Sequence, residues 1–185
     1  MPNTDGPNGF SAVGQRGGGT PGRLSEYEIA SGYATSIFSG DLVQLVTDGT
    51  IELAVATTAG IIGVFQGVQF VNAAGEQKFE KMWTASTTAT FIKASVSDDP
   101  NELYRCQSGG SLALTDMGAN ADILTTHAGN ATTGRSGQEV SSSTGTGTAQ
   151  LRLIRIFDVP DNAFGTNVEV IVQINEHRAT NRTGI

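Results

Sequence analysis

Residues 32–106 form a succession of short apolar segments separated by Gly-Asp and Asp-Gly turns, and this punctuation builds a β scaffold. Ser39-Gly40-Asp41 turns into residues 42–46. Asp48-Gly49 then predicts a hairpin to residues 51–55, because this dipeptide supplies the positive φ that a two-residue turn needs. Ile61–Asn72 reads as the longest strand, with Gly63 and Gly67 marking bulges or close backbone approaches. Ala74-Gly75 turns it into residues 77–82, which end at Trp83. Residues 89–96 give a further strand, 97–101 its turn, and 103–107 the return.

The flanking regions are less regular. Residues 1–23 hold three of the five prolines and much glycine, with few apolar groups to offset the entropy of ordering. They read as an extended arm that orders on a partner through Phe10 and Val13, or as a disordered tail. Period-two alternation begins at Leu24, and residues 33–38 give another short segment. Thr115 or Asp116 is placed to cap one short helix over residues 117–124. Residues 128–148 are almost wholly Gly, Ser, Thr and small polar groups and are expected to form a loop.

β character returns at the end. Residues 149–159 and 168–175 alternate apolar and polar positions around a loop at 160–167, which predicts a long antiparallel hairpin. The polar tail 177–185 is expected to fray. The expected fold class is therefore all-β and mainly antiparallel, a small β-barrel or β-sandwich with an extended N-terminal arm and at most one short helix. Three segments follow: an arm over 1–23, a single β domain over 24–176, and the tail.

Composition bounds the chemistry. Only 16% of the 185 residues are charged and 6% aromatic, while glycine reaches 24, a makeup that suits a protein burying surface in an assembly better than an independent enzyme. A net charge of −7 repels phosphate backbones and anionic membranes, so no direct nucleic acid partner and no membrane partner are expected. Arg16 and Arg23 flank a glycine-rich tract that is suited to an acidic surface, although they read first as two ordinary solvated arginines. No apolar run approaches the roughly 20 residues of a membrane helix, and the start lacks signal-peptide character, so use without secretion is expected.

Reactive groups are few. Cys106 is the single cysteine, which excludes an intramolecular disulfide and thiolate metal sets, and it reads as a buried strand residue. His127 and His177 have no ligand-type residue at metal spacing beside them and read as solvated surface groups, so no metal site and no cofactor are expected. Asp98, Asp99, Asn101 and Glu102 miss the spacing of a calcium loop, and an Asp-Pro turn accounts for them. Trp83 is large enough to serve either the core or an oligomer contact. The chain is read as non-enzymatic.

Gly32-Tyr33-Ala34-Thr35, Ser39-Gly40-Asp41-Leu42-Val43, Gly63-Val64-Phe65-Gln66-Gly67-Val68, Lys78-Phe79 through Trp83, and Asp98-Asp99-Pro100 together resemble virion structural proteins of tailed bacteriophages, of the capsid decoration or cement kind. The resemblance spans roughly residues 24–107, and the arm and carboxyl-terminal third share only the family's general character. It implies a β domain bound to the outside of the capsid after assembly in the host cytoplasm, with the major capsid protein as partner. It also implies a homo-oligomer, a trimer before a dimer. A tail, neck or fibre component is the alternative. Phe10, Val13, Arg16, Arg23 and Trp83 are the candidate partner contacts.

Overall fold

The structure, a computed structural model, describes residues 3–56 and 58–180. Strands run in the order β1 (Ser11–Gln15), β2 (Leu24–Tyr27), β3 (Ile37–Phe38), β4 (Leu42–Leu45), β5 (Ile51–Leu53), β6 (Ile61–Asn72), β7 (Gln77–Glu80), β8 (Met82–Trp83) and β9 (Ala89–Ser97). They continue as β10 (Glu102–Gln107), β11 (Ser111–Leu112), β12 (Asn120–Leu124), β13 (Glu139–Gly145), β14 (Leu151–Ile156), β15 (Gly165–Thr166) and β16 (Glu169–Ile174). One sheet has the order β1-β10-β16-β14-β12-β13. The second has the order β2-β9-β6-β4-β5, with β7 also paired to β6, and the pairings between named strands are antiparallel. The sheets do not close into a barrel, so of the two expected architectures the sandwich-like one fits.

Two apolar clusters explain why β6 is the spine. Ile61 and Val64 join Leu42 in a core shared with Tyr104, Leu151, Val170 and Val172 of the first sheet. Ile62, Phe65, Val68 and Phe70 point the other way, into a core with Ile37, Trp83, Ile92 and Val96. Residues 61–65 are therefore buried on both faces, which is why they read as an unbroken apolar run. Bulges beside both glycines keep the phase: register shifts fall between Val43 and Gln44 opposite Gly63, and between Phe65 and Gly67. Gly63, with φ of 159°, lies so close to the Ser97 carbonyl that a Cβ would overlap it.

Buried polar side chains stitch the two sheets together. Gln138 accepts from the Leu42 amide at 2.8 Å and donates to the Ala54 carbonyl at 2.9 Å. Gln150 accepts from the Ile123 amide at 2.9 Å and donates to the Val55 carbonyl at 2.7 Å. Each amide satisfies backbone groups that the sheet ladders leave unpaired, the condition under which a buried polar group is tolerated.

The Asp48-Gly49 hairpin, the long β6, the turn into β7 and the β14–β16 pairing follow the sequence expectation. Elsewhere the structure corrects it. Residues 117–124 are not helical: a 3₁₀ turn at Leu114–Asp116 precedes Gly118 at φ 91°, and β12 then buries Ala121 and Ile123 with a period of two. β10 does not return beside β9. Both edges of β9 are taken by β2 and β6, so the chain turns at 98–101 into the other sheet. Ser97 donates to Glu102 and Tyr104 to the Ser97 carbonyl at 3.1 Å, which fastens this corner.

Three peripheral expectations change as well. Within the expected arm, Phe10 is buried in the core and Ser11–Gln15 forms the edge strand β1 against β10. The Gly/Ser/Thr tract contains β13, whose Glu139 and Val140 are buried while the rest of the strand is largely open. His177 is buried instead of solvated: Ile61 bridges to it and accepts from the Arg178 amide at 2.8 Å, and desolvation holds its pKa below the ordinary value. The tail beyond residue 180 lies outside the described residues.

Candidate functional site

Residues that face each other across strands share a side of the sheet, so the register fixes which groups flank one another. Val64, which faces the first sheet, pairs with Ser97; continuing along β6 past the bulge, Gly67 pairs with Ser95 and Gln69 with Lys93. β2 adds Glu26 opposite Ser95, and β7 adds Phe79 opposite Gln69. Only the lower part of this side is covered by the first sheet. The upper part is bare, and its back is anchored by Val68, Phe70, Ile92 and Ala94 in the second core.

The bare face carries apolar groups where a solvated sheet carries polar ones. Phe79 is 72% exposed and Leu24 50%. They border a groove of about 460 Å³ whose floor is Gly67, a position with no side chain to fill it. Charge on the face is mixed and locally paired, with Lys93 bonded to Glu26 at 2.7 Å. Such an arrangement offers contact area.

A second exposed aromatic, Phe91, lies near the start of β9. Phe70 of β6 stands opposite both Phe91 and Ile92, a bulge in the β6–β9 register. Phe91 there adopts φ of 51° and is 82% exposed. A left-handed backbone costs a non-glycine residue about 1–2 kcal/mol, and an exposed phenylalanine recovers none of that through burial. Residues held in this way concentrate at functional positions.

The sequence-predicted contacts are scattered. Phe10 and Trp83 are withdrawn as contacts because both lie wholly inside the protein: Phe10 in the first core, and Trp83 edge-to-face on Phe70 with ring centroids 5.7 Å apart. Val13 is 38% exposed on β1, and Arg16 donates to Gln173 at 3.0 Å. Arg23 is exposed immediately before Leu24 and alone of the five adjoins the bare face. Sequence reasoning missed Phe79 and Phe91. A signal existed for Phe91, since Ile92, Ala94 and Val96 set the inward phase of β9 and leave Phe91 outside it.

The acidic turn at 98–102 acts as a fastening. Asp98 accepts from Tyr27 at 2.8 Å, Asp99 from Gln15 at 2.9 Å, and Glu102 from the Gly22 amide at 2.7 Å. Burial pushes the Cys106 thiol far above its ordinary pKa, which disfavours the thiolate a nucleophile needs. Among the described residues one group of carboxylates and histidine, Asp5, His127 and Glu139, lies close enough to share a cation. No helix among the described residues is long and apolar enough to cross a membrane. Comparison of the chain with known protein families, with curated proteins and with solved structures finds no match.

Proposed function

We propose that this protein is a virion structural protein that binds the outer surface of a phage capsid and stabilises the shell. The observation that carries the reading is the bare half of the second sheet, where Leu24 and Phe79 are presented to solvent on a rigid support, together with the strained, exposed Phe91 elsewhere on β9. Burying such side chains against a shell subunit is worth roughly 25 cal/mol per Å². The gain per copy is modest and is multiplied when a trimer engages a symmetric lattice through several faces at once. The low-charge surface and the extended amino-terminal segment suit the same role, and the major capsid protein is the partner.

Cosedimentation of the purified protein with capsid shells that lack it tests this reading. Saturable binding to shells, weakened at least tenfold by Phe79→Ser, is the expected result. Wild-type protein that stays in the supernatant at micromolar concentration would overturn it.

A further inference from the structure

We propose that Asp5, His127 and Glu139 form a binding site for a divalent transition-metal cation, with zinc the best match, and that the ion fastens the amino-terminal segment to the domain body. The three residues come from separate parts of the chain, and their ligating atoms lie within 4.8 Å of one another. One imidazole and two carboxylates form a donor set that zinc accepts, with bonds of about 2.0–2.2 Å and water completing the shell. His127 Nδ1 stands 2.7 Å from Glu139 Oε2 and Nε2 stands 3.9 Å from Asp5 Oδ2; an ion takes one ring nitrogen, so at Nδ1 it would displace the proton shared with Glu139 and draw Asp5 in.

Glu139 supplies the second, independent observation. Its side chain is 1% exposed, and its Oε1 has no hydrogen-bond partner. A buried carboxylate oxygen without a donor is costly, and no Lys or Arg ion pair to Glu139 occurs among the described residues. Oε1 therefore keeps its lone pairs free on a carboxylate whose other oxygen contacts His127. The partners are accessible from solvent, with the His127 and Asp5 side chains 47% and 55% exposed, so an ion can enter and retain water.

The position gives the ion a mechanical role. Residues 3–10 lie against the body through polar contacts: Asn3 donates to the Ala163 and Thr166 carbonyls, and Gln107 accepts from the Gly6 amide and donates to the Thr4 carbonyl. Asp5 sits within this strap, whereas His127 and Glu139 belong to the body. A shared cation cross-links the two, and because the ligands are distant in sequence its binding energy adds to the stability of the docked strap.

The test uses full-length protein stripped with EDTA and titrated with zinc chloride by calorimetry, alongside Asp5→Asn and His127→Gln, which change half-exposed groups and spare the buried Glu139. One zinc per chain is expected, with affinity reduced at least tenfold in each variant. Amide exchange across residues 3–9 should slow with zinc in the wild type alone. Absence of stoichiometric binding up to millimolar zinc, or equal binding by all three proteins, would overturn the site. Zinc binding without slower exchange would overturn the fastening role. An exchange pattern that ignores zinc and follows only the protonation of His127 would replace the metal with a proton held between two carboxylates.

Discussion

Ser136 Oγ donates to Asp41 Oδ1 at 2.5 Å, joining the loop before β13 to the turn before β4 across 95 residues of sequence. The other oxygen of Asp41 accepts from the Phe38 amide at 2.7 Å. Asp41 is the buried acidic residue of the Gly-Asp-Leu-Val segment. Two hydrogen bonds compensate only part of its desolvation.

A pH signature follows from Asp41. Burial raises its pKa to about 6, with the bonds from Ser136 and Phe38 pulling in the opposite direction. The folded value lies above the unfolded value of 3.8, so the folded state binds the proton more tightly. The stability this contributes is full below about pH 4 and is lost as pH rises through 6. At roughly 1.4 kcal/mol per unit the loss is on the order of 3 kcal/mol. Urea unfolding of wild type and Asp41→Asn at pH 4 to 7 should give profiles that diverge by this amount, whereas parallel profiles would contradict the assignment.

Phe91 should show a conflict between stability and attachment. Phe91→Gly relieves the left-handed strain and loses no buried contact, so stability is expected to rise by about 1 kcal/mol. The thermal midpoint should increase by roughly 2–4 °C for a chain of this size. Shell binding should weaken in the same variant. A lower midpoint would show that the Phe91 ring contributes to the fold.

Gly63→Ala is expected to destabilise by about 3 kcal/mol, as overpacking against backbone does. The new Cβ would meet the Ser97 carbonyl, which cannot rotate away as a side chain tip can. Gly75→Ala, where a Cβ meets open space but φ is 81°, should cost about 1 kcal/mol. Denaturant midpoints for the pair measure the difference, and equal midpoints would contradict the close approach.

The amino-terminal segment divides at Phe10. Phe10→Ala should cost about 3–5 kcal/mol, the usual range for emptying a core aromatic site. Deleting residues 1–9 removes polar strap contacts and should leave a cooperative unfolding transition, whereas deleting 1–15 also removes β1 and opens the core. Calorimetric scans of the two truncations distinguish a docked strand from a loose arm; equal midpoints would favour the loose arm.

Much of the β framework was legible because its signals are local. Asp48-Gly49 encodes its own turn, and the alternation of Val168, Val170, Val172 and Ile174 encodes one buried face. The separation of β9 from β10 was not legible, because a turn at 98–101 reads the same whether the next strand pairs with the last or enters another sheet. β13 was hidden because its buried residues, Glu139 and Val140, are followed by five Ser, Thr and Gly positions of low apolar content. His177 was missed because its burial comes from the distant Ile61. Val68 and Val96 showed the inward phase of the candidate face, but that face appears only when β2, β7 and β9 are assembled around β6.

The most direct measurement of the central claim is the copy number of this protein relative to the major capsid protein in purified particles, by quantitative mass spectrometry. The capsid reading predicts a ratio near one copy per shell subunit. A handful of copies per particle would place the protein in the tail or neck instead, and absence from particles would contradict a virion role altogether.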